Sequence, residues 1–92
     1  MTQPAACTVR IASPLRSYTR GAAKVAADGA TLSEVLADLD RRFPGIRFRM
    51  IDEQDAIRPH IRLYVESREV KSLSDPVAAR ETVHVICALS GG

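Results

Sequence analysis

The sequence has 92 residues, of which 46% are hydrophobic and 26% are charged, with a net charge of +2. A chain of this length forms one small domain with a core large enough to fold alone. The net charge is too small to indicate nucleic-acid binding, and no apolar run approaches the length that spans a bilayer. Residues 1–6 lack the basic and apolar regions of a signal peptide, so we expect a disordered lead-in and a cytoplasmic protein.

The first two predicted elements form a β-hairpin. Residues 7–12 alternate apolar and polar side chains, as in a half-buried strand. Lys24–Ala27 is a weaker second strand, which the turn signal Asp28-Gly29 closes. Between the strands, Gly21 suits a backbone position with positive φ.

The next segment is a capped amphipathic helix. Thr31 and Glu34 have the spacing of a capping box, and Pro44-Gly45 ends the helix. One apolar stripe faces the core and consists of Leu32, Val35, Leu36, Leu39 and Phe43. The opposite face is predicted to hold Asp38, Asp40, Arg41 and Arg42. The helix is stable only when this stripe docks on a sheet.

The rest of the chain reads mainly as strands. Residues 46–50 fit either a short strand or a helical turn. Residues 58–65 are a firm strand, 66–69 a turn, 70–73 a possible short strand and 83–89 the last strand. In residues 58–65 the side chains predicted to face outward are His60, Arg62 and Tyr64. The order of elements predicts an α+β domain with one helix packed across a mixed sheet.

The predicted last strand ends in Ala88-Leu89, and Ser-Gly-Gly follows it at the end of the sequence. Glycine loses the most conformational freedom when it is fixed, so Gly91-Gly92 should form an unpacked arm. Fully extended, residues 90–92 reach about 10 Å beyond the folded body.

The chain resembles the ubiquitin-like sulfur carriers of the ThiS/MoaD family. The resemblance rests on the hairpin, the helix start Gly-Ala-Thr-Leu-Ser-Glu-Val-Leu, the strand Ile61–Val65 and the terminal diglycine. It covers nearly the whole chain from Cys7 onward. Residues 8–11, 14–16 and 63–65 fit best the actinobacterial carriers that are used in cysteine synthesis.

The resemblance implies a β-grasp domain over residues 7–89 and a flexible tail over 90–92. In this family an E1-like enzyme uses ATP to adenylate the terminal carboxylate. In this chain that carboxylate belongs to Gly92. A sulfur donor converts the adenylate to a thiocarboxylate, which supplies sulfur for cysteine, molybdopterin, thiamine or a natural product. Ser90, Gly91 and Gly92 would pass into the partner's active site. The chain would then be a carrier rather than an enzyme, with no bound metal or cofactor.

Two positions depart from the family pattern. Cys87 stands where many relatives have proline, at the base of the tail. Residues 79–81 replace a common Asp-Gly-Asp turn, so a residue other than glycine must make that turn.

The resemblance also implies a partner surface at the base of the tail. Ala88 and Leu89 would dock the tail, and Tyr64 and Ile86 are apolar residues predicted to face outward on neighbouring strands. The basic residues Arg47, Arg49, Arg58, Arg62 and Arg68 are interpreted either as a solvated face or as a docking surface for an acidic partner.

The cysteines and histidines have simpler interpretations. Cys7 and Cys87 are expected to be free thiols on the inner face, and they could be spatial neighbours if the first and last strands pair. For Cys87 an acyl-disulfide or thioester with the tail stays open as an alternative. His60 and His84 are expected to be solvated on the outer face, without the ligand spacing of a zinc site.

Two other functions remain open from the sequence. A ubiquitin-like modifier would also be adenylated at Gly92, but it would be joined to lysines of other proteins. A plain β-grasp interaction module would not use Gly92 at all.

Overall fold

A five-stranded mixed sheet with one long helix across it forms the protein, seen here in a computed structural model that describes residues 6–88. The expected lead-in (except Ala6) and the expected tail lie outside the described residues. The strands are β1 Cys7–Arg10, β2 Lys24–Ala27, β3 Ile61–Val65, β4 Arg68–Val70 and β5 Thr82–Cys87. The helices are α1 Leu32–Arg42 and α2 Ile46–Met50, with a 3₁₀ turn at Ser13–Leu15.

The strand order is β2-β1-β5-β3-β4, so the last strand lies at the centre of the sheet. β1 and β5 run parallel, and the other neighbouring strands run antiparallel. The β1–β2 hairpin and the α+β architecture are therefore as the sequence predicts. The hairpin connection contains Gly21 at φ 87°, the positive value expected of it.

The start of α1 is capped as predicted. The Thr31 hydroxyl accepts a hydrogen bond from the Glu34 amide, and the Glu34 carboxylate accepts one from the Ala30 amide. The four apolar residues of the stripe that lie within α1 are fully buried, and Phe43, the C-cap, is half-buried. This burial holds α1 against the sheet.

The prediction that Asp38 faces solvent is wrong. Asp38 is only 5% exposed, accepts a hydrogen bond from the Asp28 amide and pairs with Arg42. Its carboxylate thus joins the helix to the end of β2. A buried carboxylate is stable here because these donors replace the lost water.

Residues 46–50 form the helical turn, which was one of the two alternatives. Ile46 and Met50 are buried and lie one turn apart, whereas Phe48 is exposed on the other side. Gly45, with φ at 97°, makes the break between α1 and α2.

The predicted boundary between turn and strand after β3 is wrong. β4 begins at Arg68 rather than at Val70, and the turn contains only Glu66 and Ser67. Glu66 adopts φ 55°, and positive φ is typical of tight hairpin turns of this kind. The sequence pattern does not indicate a strand at this point, because Arg68 and Glu69 are both charged and exposed and give no apolar alternation.

The turn before β5 is made without glycine. Arg80 adopts φ 71°, so a bulky residue occupies the left-handed region there. This is the turn in which the sequence departs from the family pattern. In the described part of the chain no helix is long and apolar enough to cross a membrane.

Candidate functional site: the base of the terminal diglycine

β5 carries the chain to its last described residues from the centre of the sheet. Val83 and Val85 are buried in the core, whereas Ile86 is 44% exposed. This alternation is the one the sequence predicts. We call the end of the sheet where β5 finishes, at Cys87 and Ala88, the exit end.

At the exit end β5 is held by β3. Cys87 pairs with Ile61, and the Ala88 amide donates a 2.8 Å hydrogen bond to the His60 carbonyl. The ladder therefore continues one residue past the strand. Leu89, Ser90, Gly91 and Gly92, the other residues assigned to the tail and its docking, lie beyond the described part of the chain, so their roles stay predictions.

On its other side the exit end is open. β1 pairs with β5 only as far as Arg10 opposite His84. Beyond that pair the chain of β1 turns away through Ser13–Leu15, and a groove of about 350 Å³ lies beside the end of β5. Among the residues that line the groove are Ile11, Pro14, Ile86 and Cys87.

The predicted partner residues share the outer face of the sheet. Arg62 lies opposite Ile86, and Tyr64 lies opposite His84, so Tyr64 and Ile86 are diagonal neighbours. Arg62 is exposed and pairs with Glu69 at 3.0 Å, while Tyr64 is half-buried. Ala88, two residues after Ile86, is also exposed. The described members of the predicted surface are thus brought together.

The two cysteines are not neighbours. Thr8 lies opposite Thr82 in the parallel pair, so Cys7 is at the start of β5 and Cys87 is at its end. Six residues of strand separate these positions, about 20 Å. The expectation that they could meet is wrong because β1 and β5 run in the same direction.

Both thiols are free. Burial raises the pKa of Cys7, whose thiol donates to the Ala27 carbonyl. Burial also raises the pKa of Cys87, which is half-buried at the edge of the core. A raised pKa keeps each thiol protonated and weakly nucleophilic.

The histidines lie apart. His84 is half-buried opposite Tyr64, whereas exposed His60 precedes β3 and lies beside Ala88. Within residues 6–88 no group of three His, Cys, Asp or Glu side chains is arranged to hold a metal ion.

One surface feature at the exit end was missed in the sequence. Phe48 is 54% exposed and stacks against Arg58, whose guanidinium carbon lies 4.5 Å from the ring centroid. The signal was present: if 46–50 is helical, burying Ile46 and Met50 turns Phe48 outward. The strand alternative instead places all three side chains on one face.

Comparison with known proteins identifies the family. The sequence model of the ThiS family matches residues 9–92. The chain is 32% identical over 90 residues to the sulfur carrier protein CysO of Mycobacterium tuberculosis, covering 92% of this chain and 97% of that protein.

Solved structures agree with this assignment. A chain of the Amycolatopsis orientalis BexX/CysO complex superposes with a TM-score of 0.87 at 32% identity, covering 94% of this chain and 99% of that one. Mycobacterium tuberculosis CysO gives a TM-score of 0.84 at 30% identity, with 90% and 99% covered. The chain belongs to the ThiS family and has the ubiquitin-like β-grasp fold of sulfur carriers such as CysO.

Proposed function

We propose that this sulfur carrier works through the carboxylate of Gly92. An E1-like enzyme adenylates Gly92 with ATP, a sulfur donor converts the adenylate to a thiocarboxylate, and the sulfur passes to a biosynthetic enzyme in the cytoplasm. The observation that carries the proposal is the central position of β5, which holds the base of the diglycine through Cys87 and Ala88. Membership of the ThiS family supports it.

The chemistry needs an activated terminus. A carboxylate is a poor acyl donor, whereas an acyl adenylate offers AMP as its leaving group. The incoming sulfur forms the bond to the Gly92 carbonyl carbon as the bond to AMP breaks. Gly91 and Gly92 have no side chains, so steric exclusion from a narrow channel in the partner is minimal. Ser90 would enter the channel behind them.

The partner enzymes are proposed to dock on the outer face of the sheet around Ile86. Ile86 supplies exposed apolar area, Tyr64 an adjacent aromatic ring and Arg62 a cation at the rim. Ala88 and Leu89 would continue this surface toward the active site. A solved complex of BexX with CysO supports the idea that such carriers dock on other proteins.

The docking proposal is tested by Ile86→Asp. Calorimetric titration of the activating enzyme with this variant should show binding about 10-fold or more weaker than with the wild type, because a charge would replace the apolar contact at the centre of the interface. Unchanged affinity would show that Ile86 does not lie in the interface.

The acceptor is an enzyme of cysteine, molybdopterin, thiamine or natural-product synthesis. Isotope-labelled sulfide, traced to the product, identifies which of these pathways receives the sulfur.

The carrier proposal itself is tested by the intact mass of the protein recovered from its own cells. A mass gain equal to the exchange of one oxygen for sulfur is expected, and a variant that lacks Gly92 should not show it. A ladder of larger lysine-linked conjugates would instead show a protein modifier. Activity retained after deletion of Gly91 and Gly92 would show a plain interaction module.

A further inference from the structure

Phe48 and Ile86 are the large hydrophobic side chains exposed within residues 6–88. Ile86 lies in the docking face already proposed, but Phe48 lies elsewhere, on α2. Together with Arg49, Arg58 and His60 it lines a shallow hollow of about 190 Å³. We call these four residues the exit-edge surface.

Within the exit-edge surface, Arg58 is held against Phe48 by hydrogen bonds to the backbone. The Arg58 Nε donates a 2.7 Å hydrogen bond to the Phe48 carbonyl, and the Arg58 amide donates one to the Met50 carbonyl at 2.9 Å. The guanidinium therefore stays over the Phe48 ring. Because it is already fixed, the Arg58 side chain loses little freedom when a partner binds.

This surface adjoins the base of the tail. The Ile61 amide bonds to the Arg58 carbonyl at 2.9 Å, and the next carbonyl but one, that of His60, accepts from the Ala88 amide at 2.8 Å. An enzyme that receives the diglycine must approach this end of the sheet. It then comes within reach of Phe48 as well as of Ile86.

The charge of the surface is positive. Neither Arg49 nor Arg58 forms an ion pair with a described residue, and the Arg58 side chain lies against the ring and backbone of Phe48. Asp52 is a nearby acid, but the amides of Ala56 and Gln54, more than Arg58, lower its pKa, and both amides donate to its Oδ1. Two guanidinium groups thus remain for an anionic partner.

We propose that the exit-edge surface docks an acidic segment with one apolar side chain, carried by the enzyme that activates the tail. The apolar side chain packs on the Phe48 ring, and flanking carboxylates pair with Arg49 and Arg58. Aromatic residues and arginine are the types enriched at such contacts. The identity of the partner rests on the proposed function, whereas the binding chemistry rests on the surface itself.

The binding chemistry is tested with the full chain labelled with ¹⁵N and the synthetic peptide Glu-Asp-Leu-Asp-Glu. The amides of residues 48–50 and of 58 and 60 should shift, and Arg49→Glu should weaken binding about 10-fold. Lys71→Glu, which makes the same change in net charge elsewhere, should leave affinity within about twofold. Equal weakening by both variants, or shifts only at other residues, would overturn the inference.

The role in activation is tested in the protein's own cells. Phe48→Ala should lower the initial rate of thiocarboxylate formation about 10-fold or more. Its melting temperature should match the wild type, because the ring is largely exposed. An unchanged rate overturns the role of Phe48. If the wild type never gains the thiocarboxylate, the proposed function fails instead, and the peptide titration alone decides the binding chemistry of this surface.

Discussion

The two ends of β5 are held differently. At its start, Thr82 pairs with Thr8 on one side, and its amide donates a 2.6 Å hydrogen bond to the Glu66 carboxylate on the other. At the exit end, Cys87 pairs with Ile61 of β3, but the β1 pairing has already finished. The strand that carries the diglycine is thus anchored on both sides where it begins and on one side where it ends. The open side leaves the end of β5 accessible, as the proposed presentation of the tail to a partner enzyme requires.

The largest expected effect on stability comes from shortening a buried side chain of β3 beside the middle of β5. Leu63 is fully buried and lies opposite Val85. Leu63→Ala should lower the free energy of unfolding by about 2–5 kcal/mol through lost burial and a cavity. Urea unfolding measures this. Ile86→Ala is the control at the exposed exit end and should change stability by no more than about 0.5 kcal/mol.

The open side of the exit end is tested with proline. The Ala88 amide donates to the His60 carbonyl just before β3, so the alternation of an antiparallel ladder turns the Cys87 amide toward the open side. Cys87→Pro should therefore cost less than about 1 kcal/mol, whereas Ala88→Pro loses the bond to His60 and should cost about 1–3 kcal/mol. Urea unfolding of both variants measures the difference. Equal costs would show that the two sides of β5 do not differ.

The anchored start can be strengthened at Arg80. Its φ of 71° is unfavourable for a side chain with a Cβ. Arg80→Gly should relieve this strain and raise the free energy of unfolding by up to about 1 kcal/mol, less the entropy that glycine adds to the unfolded chain. Thermal unfolding checks the sign. A lower melting temperature would mean that contacts of Arg80 outweigh the strain.

The smallest expected effect on stability comes from the ionisation of the Cys87 thiol at the exit end. Burial raises its pKa, so the folded state disfavours the thiolate. The raised pKa contributes to the stability of the folded state when the pH is below the pKa of the thiol in the unfolded chain. This contribution is lost as the pH rises through the pKa of the thiol in the folded chain. Alkylation of Cys87 by iodoacetamide should be slower than in the unfolded chain at neutral pH and should rise only at more alkaline pH. Peptide mass mapping measures both rates, and equal rates would contradict the burial.

The sequence predicts the parts of this structure in which local chemistry and periodicity agree. The Thr31 cap, the buried stripe of α1 and the alternation of β5 all appear as expected. Asp38 was misplaced because its burial depends on a contact with the amide of Asp28, ten residues away. The β4 boundary was missed because charged residues can form an edge strand wherever β3 offers a partner.

The features of the candidate site also divide into those that follow from local alternation and those that depend on contacts between distant parts of the chain. The outward positions of Ile86 and Tyr64 follow from alternation along a strand. The exposure of Phe48 follows from the helical alternative for 46–50, but its stacking on Arg58 could not be predicted, because the two residues meet only when α2 packs over the approach to β3. The separation of Cys7 from Cys87 likewise depends on the parallel pairing of β1 with β5.

The central claim is that the end of β5 presents Gly92 for sulfur activation. The most direct measurement is the intact mass of the protein recovered from its own cells, with and without Gly92. The account predicts that one oxygen is exchanged for sulfur in the full chain and that the shortened chain keeps its unmodified mass. A full chain that shows no exchange in cells actively supplied with sulfide would contradict the account.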